Sequence, residues 1–317
     1  MLWLIFTTLA CTSNPTDDSA GDTGSDCISG EPSDHLGIEM VYICPGRFTM
    51  GSPEDEVGRQ VVEPQHEVRL TRGFYMGTQE VSWRQLEAFM DGEINWYDDV
   101  GDLGHVAFRL SAFDAELAAN AMSAAAGLPP CYTCTELNPG NPECALAEAW
   151  NTLYDCPGYR LPTEAEWEFA SRAGSQASFA TGGDLLPESE YDCSGKLRLD
   201  DGSWLDHFAV YCNIMEGDDN WDSSERLRMP ATKQPNTWGL YDMHGNVMEW
   251  VADHFDTYEE GELVDPWVKD DYPVDYGRSI RGGSWFNSPS KLRSAARYWD
   301  SPYTRAPVYG FRLARSD

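Results

Sequence analysis

The sequence WGLYDMHGNVMEWV occupies residues 238–251 and places two carboxylates, Asp242 and Glu249, on either side of a glycine turn. Taken alone, Asp242 is best interpreted as a turn residue, because Asp side chains readily bond to neighbouring backbone groups. The mixture of glycine with large aromatic residues indicates a core built from turns rather than from a helical bundle.

Three further blocks accompany this stretch in a fixed order along the chain. They read GYRLPTEAEWE at 158–168, RGGSW at 281–285 with RSAAR at 293–297, and GFR at 310–312. The first block contains the start of a helix. Thr163 with Glu166 three residues later forms a capping box, and Trp167 and Ala170 share the inward face.

Together, the four blocks resemble the signature of the formylglycine-generating enzyme family, also called sulfatase-modifying factors. The segments MGS at 50–52 and EVS at 80–82 fit the N-terminal part of the same pattern. The resemblance implies one domain over residues 39–317 with an irregular α+β fold, related to C-type lectins and low in regular secondary structure. The 28 glycines, 19 prolines and 12 tryptophans agree with that expectation.

The resemblance also implies a structural calcium ion at residues 238–251. By correspondence, its ligands are the side chains of Asp242 and Glu249 and the carbonyl oxygens of Gly245 and Val247. This assignment is chemically reasonable, because calcium takes several oxygen ligands at about 2.3–2.6 Å. A turn that contains glycine can direct two carbonyl groups at one point. Calcium is therefore the expected cofactor.

A second calcium site of the family corresponds to Asn213 and Ile214, with Asp222 as its acidic ligand. The segment between these residues differs in length from the family pattern. His244 belongs to a residue type that binds metals and protons, but it lies in a turn where the family does not require histidine. We therefore interpret His244 as a structural residue held by hydrogen bonds.

The family's reaction depends on two cysteines that follow the RGGSW block. They bind Cu(I), which oxidises a sulfatase cysteine to formylglycine with oxygen. Here residues 286–292 read FNSPSKL, and no cysteine follows Cys212. Thiolates suit Cu(I), whereas carboxylates and hydroxyls do not replace them. We therefore expect no copper cofactor. Ser284 is the remaining catalytic candidate, and its alternative role is that of a turn residue.

The N-terminal residues 1–11 resemble a lipoprotein signal peptide. Residues 1–10 are apolar or hydroxylic and too few to span a bilayer, and LAC at 9–11 matches the small-residue pattern of a lipoprotein cleavage site. Cys11 is then lipidated, while the alternative is an ordinary signal peptide with an incidental cysteine. Residues 12–38 are rich in Ser, Thr, Gly and Asp and predict a disordered acidic tether. We expect an exported protein, lipid-anchored in a bacterial cell envelope.

The chain has nine cysteines, and setting Cys11 aside leaves an even number, which is typical of disulfides in an exported protein. Cys131 and Cys134 have a CxxC spacing, so a redox or zinc site is the alternative for that pair. The sequence leaves the pairing open. The eight residues are Cys27, Cys44, Cys131, Cys134, Cys144, Cys156, Cys193 and Cys212.

The composition restricts the partners. With 22 basic and 53 acidic residues, the formal charge is −31, which disfavours nucleic acids and anionic membrane surfaces. No segment after residue 11 approaches the length of a membrane span, so we expect membrane contact only through a lipid anchor. Most of the charge is interpreted as a solubilising surface. We expect a monomer.

Local signals predict further helices and strands. Ser82 and Ser111 each precede a capping-box partner by three residues, so they begin two more helices, the second of which ends at Gly127. Alternating or short apolar runs predict strands at 40–43, 47–52 and 66–70.

Three functions are compatible with these observations. The first is a diverged family member at the cell surface that binds a protein or carbohydrate, and the missing cysteine pair favours it. The second is an enzyme that oxidises a protein or metabolite through other metal ligands. The six histidines do not form the HxxxHxE pattern of the iron-dependent sulfoxide synthases that share this fold. The third is a structural component of the envelope.

Overall fold

Short strands and three helices make up the regular structure of the described residues. The computed structural model describes residues 27–35, 37–90, 103–138, 140–194, 196–212, 229–259, 261–269 and 277–317. The helices are α1 (Trp83–Phe89), α2 (Ala112–Ala125) and α3 (Glu164–Arg172). The strands are β1 (Glu31–His35), β2 (Ile38–Ile43), β3 (Gly46–Met50), β4 (His66–Leu70), β5 (Phe74–Gly77), β6 (Tyr132–Asn138), β7 (Asn141–Leu146), β8 (Tyr159–Arg160), β9 (Ala209–Val210), β10 (His244–Gly245), β11 (Met248–His254), β12 (Leu263–Val264), β13 (Arg278–Arg281), β14 (Tyr298–Asp300), β15 (Tyr309–Gly310) and β16 (Ala314–Ser316).

The strands form several small sheets. The largest has the order β1-β2-β5-β16-β8 with antiparallel neighbours throughout, so a strand near the C-terminus lies between two strands from much earlier in the chain. A second sheet has the order β14-β13-β11-β15, in which β11 and β15 run parallel. A third has the order β12-β4-β3. This arrangement is the irregular α+β fold that the sequence predicts.

Each helix begins at the predicted residue. Ser82, Ser111 and Thr163 are the N-caps of α1, α2 and α3, and in each case the side chain three residues later completes a capping box. Helix α3 ends with Ala173 in the left-handed conformation, and Gly174 follows at φ 89°. Local side-chain chemistry therefore fixes where these helices start.

Among the described residues, three apolar clusters hold the elements together, and two of them contain buried tryptophans. The larger packs α1 and α2 against β11 and contains Trp250 and Trp285, both almost fully buried. The other packs α3 against β2, β3, β4 and β5 and contains Trp167, which is fully buried. These tryptophans come from three of the blocks of the sequence signature, so the signature residues form the core.

The folded region begins earlier than the sequence indicates. Residues 12–38 were predicted to be a tether, but β1 pairs with β2 from Glu31↔Tyr42 to His35↔Ile38, and Cys27 is disulfide-bonded to Cys44. The boundary at 39 is therefore wrong. Backbone hydrogen bonding to β2 needs no apolar side chains, so the polar composition of this segment concealed a strand.

The structure also answers the question of membrane spans for the part of the chain it covers. In the described ranges, no helix combines the length and apolar character that crossing a bilayer requires.

Candidate functional site

The first group of predicted calcium ligands lies in and around the turn between β10 and β11. Asp242 and Asn246 have positive φ angles of 56° and 60°, and Gly245 has φ 111°. A side chain at Gly245 would meet the carbonyl oxygen of Val210 at 2.2 Å, so only glycine fits there. The turn is thus held in one shape by the parallel pairing of β10 with β9.

Asp242 places one carboxylate oxygen in a buried position without a partner. Its Oδ2 accepts a hydrogen bond from the backbone N–H of Ala231 at 2.6 Å. Its Oδ1 is buried and has no hydrogen-bond partner among the described residues. Burial raises the pKa of Asp242 to about 6, and Glu249 adds to the shift while Arg312 opposes it.

Glu249, on β11, is held by two donors from distant parts of the chain. Trp167 Nε1 donates to its Oε2 at 2.7 Å, and Arg312 donates through Nε to Oε2 at 2.7 Å and through Nη2 to Oε1 at 2.6 Å. A carboxylate offers about four lone-pair positions. One position on Oε1 therefore remains for a further ligand.

A third buried carboxylate, Glu80, was not predicted. It accepts hydrogen bonds from Asn246 Nδ2 at 2.6 Å and from the backbone N–H of Val247 at 3.1 Å. Burial raises the pKa of Glu80 well above its usual range, and the charges of Asp242 and Glu249 raise it further. The EVS segment at 80–82 fits the family pattern, but no feature near it in the sequence indicates that Glu80 contacts a turn 166 residues away.

These are the residues that could hold a calcium ion. Glu80, Asp242 and Glu249 are each buried, whereas Arg312 is the cation that contacts Glu249 directly. Asp242 has a buried oxygen without a described hydrogen-bond partner, and neighbouring charges raise the pKa of Glu80. A divalent cation bound here would contact that oxygen and would offset the repulsion between the carboxylates. Within the described ranges, no three His, Cys, Asp or Glu side chains are arranged to hold a metal by themselves. The predicted site, in contrast, combines two side chains with two carbonyl oxygens.

His244 is a structural residue with both ring nitrogens in use. Its Nδ1 lies 2.8 Å from the carbonyl oxygen of Leu292, and its Nε2 accepts from the backbone N–H of Ala180 at 3.2 Å. A carbonyl oxygen only accepts, so Nδ1 carries the proton. Burial lowers the pKa of His244 to about 4. The ring is therefore neutral near pH 7.

Ser284 forms a closed turn rather than part of an open cleft. Its hydroxyl donates to Asn287 Oδ1 at 2.8 Å, its backbone N–H donates to the same oxygen at 2.9 Å, and the side chain is fully buried. Trp285 points into the core, whereas Phe286 is 37% exposed. Ser284 therefore has the geometry of a turn residue, which is the alternative to a catalytic role.

Comparison with known proteins shows the family of the chain. The sequence pattern of the sulfatase-modifying factor enzyme 1-like domain matches residues 29–317. The chain belongs to the sulfatase-modifying factor family. It is 30% identical over 306 residues to a formylglycine-generating enzyme of Thermomonospora curvata, covering 87% of this chain and 92% of that enzyme.

Two solved structures share the sulfatase-modifying factor fold with this chain. Variable protein 1 of Treponema denticola superposes with a TM-score of 0.64 at 25% identity, covering 90% of this chain and 98% of the other. PvdO from Pseudomonas aeruginosa superposes with a TM-score of 0.63 at 24% identity, covering 92% and 100%. The predicted fold is thus confirmed.

The cysteines of this sulfatase-modifying factor domain are engaged in disulfides. The described pairs are Cys27–Cys44, Cys131–Cys156, Cys134–Cys144 and Cys193–Cys212. The predicted disulfides are therefore present. The alternative of a redox or zinc site at Cys131 and Cys134 is wrong, because each of these residues bonds to a different, more distant cysteine. No described thiol is left to bind Cu(I), so the residues present do not fit the family's copper ion.

Several predicted residues lie outside the described part of the sulfatase-modifying factor domain and its N-terminal extension. Asn213, Ile214 and Asp222, the ligands of the second calcium site, fall within residues 213–228, which the structure does not describe. The same applies to Cys11 and the signal peptide.

Proposed function

We propose that this chain is an exported, lipid-anchored binding module of the sulfatase-modifying factor family that does not generate formylglycine. One observation carries the proposal. The segment after the RGGSW block forms a closed turn around Ser284 and Asn287, where the family's reaction requires two thiolates. Scaffold and reaction are separable, because function depends on the groups at a site and not on the fold that carries them.

A surface next to this turn has the character of a binding face. Tyr191 is 69% exposed and Phe286 is 37% exposed. The segments that carry them are joined by a hydrogen bond from Ser290 N–H to the Glu190 carbonyl oxygen. Cys212, which is disulfide-bonded to Cys193, donates its N–H to the Asn287 carbonyl oxygen. Exposed aromatic side chains contribute large contact areas at low entropic cost in recognition of proteins and sugars. We propose an envelope protein or a carbohydrate as the ligand.

Export is supported by the disulfides. They form and persist in oxidising compartments and are rare in the cytosol. Together with the lipoprotein pattern at residues 9–11, they favour an envelope location with Cys11 as the lipidated residue. Calcium at Asp242 and Glu249 then has a structural role, since extracellular fluids supply it and the site is buried.

The catalytic part of the proposal is tested with Cu(I), oxygen and a cysteine-containing sulfatase peptide. A family enzyme that retains its cysteine pair is the positive control. We expect no stoichiometric copper binding and no aldehyde on the peptide by mass spectrometry. Aldehyde formation by this chain would overturn the proposal, whether copper or another added metal supports it.

The binding part is tested by screening envelope proteins and glycans against the purified chain. We expect Phe286→Ala and Tyr191→Ala to weaken the binding of any ligand found by about tenfold each, which is typical of exposed aromatic contacts. Trp299→Ala is the matched control, because Trp299 is a 58% exposed aromatic residue that packs beside Phe255. A ligand whose affinity is equally reduced by all three changes would not bind at this face.

A further inference from the structure

A groove without an assigned role runs beside β4. It consists of a cleft of about 580 Å³ and a second cleft of about 480 Å³, which share His66, Tyr258 and Glu259 in their walls. We call this combined cavity the β4 groove. It contains neither the predicted calcium ligands nor Ser284, Phe286 or Tyr191. The groove is therefore separate from the residues on which the proposed function depends.

His66 places an unused acceptor in the wall of the groove. Its side chain is buried, with 8% of the residue exposed, and its ring lies 4.4 Å from that of Tyr258. Nδ1 is 3.1 Å from the Pro64 carbonyl oxygen, which only accepts, so Nδ1 is the donor and Nε2 is the acceptor in that tautomer. Among the described residues, Nε2 has no hydrogen-bond partner. Such an atom is normally satisfied by a partner.

The groove also has an excess of negative charge. Glu67, Asp256 and Glu259 are in its walls, and none of them forms an ion pair with a described residue. Two of the nearby cations are already paired. Arg47 contacts Glu262, and Arg297 donates to both oxygens of Glu164 at 2.7 and 2.8 Å. Anionic ligands are therefore disfavoured, and a cation that can donate hydrogen bonds is favoured.

We propose that the β4 groove binds an alkylammonium group, supplied by a lysine side chain of a partner protein or by a free amine. An ammonium group has three donors and no acceptor, so it can donate both to His66 Nε2 and to a carboxylate of the groove. Its methylene chain can pack on Trp267 and Val264, which are part of the same wall. A neutral hydroxyl would satisfy His66 but would gain nothing from the carboxylates.

Isothermal titration calorimetry with defined probes tests this proposal. The probes are a blocked peptide with one lysine, the same peptide with norleucine or acetyl-lysine in its place, and spermidine. We expect the lysine peptide, spermidine or both to bind, with affinity falling as salt is raised. Binding of the lysine peptide identifies a protein source, and binding of spermidine alone identifies a free amine. Equal binding of the norleucine peptide, or no binding of either amine at millimolar concentration, would overturn the proposal.

Two substitutions localise the binding. We expect His66→Phe, which keeps a ring but removes the acceptor, to weaken amine binding about tenfold, the effect of one hydrogen bond to a charged group. Glu259→Gln lies on the exposed rim and is not expected to affect folding. It should weaken binding about threefold. Glu188→Gln, an exposed residue outside the groove, is the matched control and should bind as the unchanged chain does. Unaltered binding by Glu259→Gln and by a folded His66→Phe would exclude the groove.

Discussion

At position 244 an imidazole ring is buried between two backbone groups, and its burial keeps it neutral near pH 7. Leu292 presents a carbonyl oxygen to Nδ1, and Ala180 presents an N–H to Nε2. Protonation of Nε2 would place two donors against each other at a buried position. The pKa of about 4 follows mainly from burial; the hydrogen bond to the Leu292 carbonyl raises the pKa, and the charge of Arg172 lowers it further.

This geometry predicts a pH dependence of stability. The folded-state pKa of His244 is about 4, below the ordinary value of 6.5, so the unfolded chain binds more protons between these values. The stabilising contribution is complete above pH 6.5 and is lost as the pH falls toward 4, with a slope of up to about 1.4 kcal/mol per pH unit. We expect His244→Gln to remove this slope from the free energy of unfolding, measured by urea titration at several pH values.

The matched control is the exposed His207, since His207→Gln removes a histidine that is not buried. It should leave the slope as it is in the unchanged chain. A His244→Gln variant that loses stability at every pH but keeps the full acid slope would show that another group is responsible.

Glu80 is an example of a site residue that cannot be predicted from the sequence alone. Asp242 and Glu249 belong to one continuous motif, so their common site was visible in the sequence. Glu80 joins them only through the fold, by way of Asn246 and Val247. A carboxylate next to a helix N-cap gives no local signal that it is buried, and its contribution to the charge of the site therefore required the structure.

At the scale of elements, helix α3 links local sequence to the core. Its N-cap Thr163 accepts from the Glu166 N–H, and Glu166 in turn accepts from the Thr163 N–H at 2.8 Å. The first turn also carries Glu164, whose oxygens accept from Arg297 and Arg281. The orientation of the helix therefore positions a buried ionic network.

Substitution of Thr163 tests how much the cap contributes. We expect Thr163→Val, which keeps the size but removes the hydroxyl, to lower the free energy of unfolding by about 1–2 kcal/mol, because one N–H of the first turn loses its acceptor. The measurement is urea unfolding at pH 7. Thr163→Ser is the control, because it keeps the hydroxyl and removes only a methyl group. Equal losses in the two variants would mean that packing of the methyl group, and not the cap, stabilises the helix.

Helices were predictable here, whereas strand partners were not. Each of the three capping boxes joins two residues that are only three positions apart, so all three helix N-termini could be predicted from the sequence. Pairing of β16 with β5 joins residues 314–316 to residues 74–76, and no local pattern specifies such a contact. The hairpin of β6 and β7 was also missed, although the Cys134–Cys144 bond crosses it at directly opposed positions. Short strands with mixed side chains depend on their neighbours more than on propensity.

At the scale of the whole molecule, one buried cluster of charged residues joins segments that lie far apart in the chain. Glu80 precedes α1, Asp242 and Glu249 flank the β10–β11 turn, and Arg312 follows β15. With all three carboxylates ionised, their formal charge is −3 against +1 for Arg312. Burial of such an imbalance is costly, which is the physical reason for the raised pKa values of Glu80 and Asp242. A bound divalent cation would offset the excess.

Calcium should therefore stabilise the entire domain and not only the turn. A ligand that binds only the folded state adds about 2.7 kcal/mol at a concentration one hundred times its dissociation constant, which raises the melting temperature by several degrees. We expect this increase when calcium is added to chelator-treated protein and not when magnesium is added, because magnesium keeps its waters and demands a tighter geometry. An unchanged melting temperature over the whole calcium titration would remove the site.

Asp242→Asn separates a calcium site from a merely crowded cluster of carboxylates. The substitution removes one negative charge, so without calcium the variant should melt at a higher temperature than the unchanged chain at pH 8, where Asp242, with its pKa of about 6, is ionised. With calcium present the order should reverse, because the variant has lost a charged ligand. Asp55→Asn, at an exposed position, is the matched control and should follow the unchanged chain in both conditions. The reversal is decisive, since loss of a purely structural aspartate would lower the melting temperature with and without calcium alike.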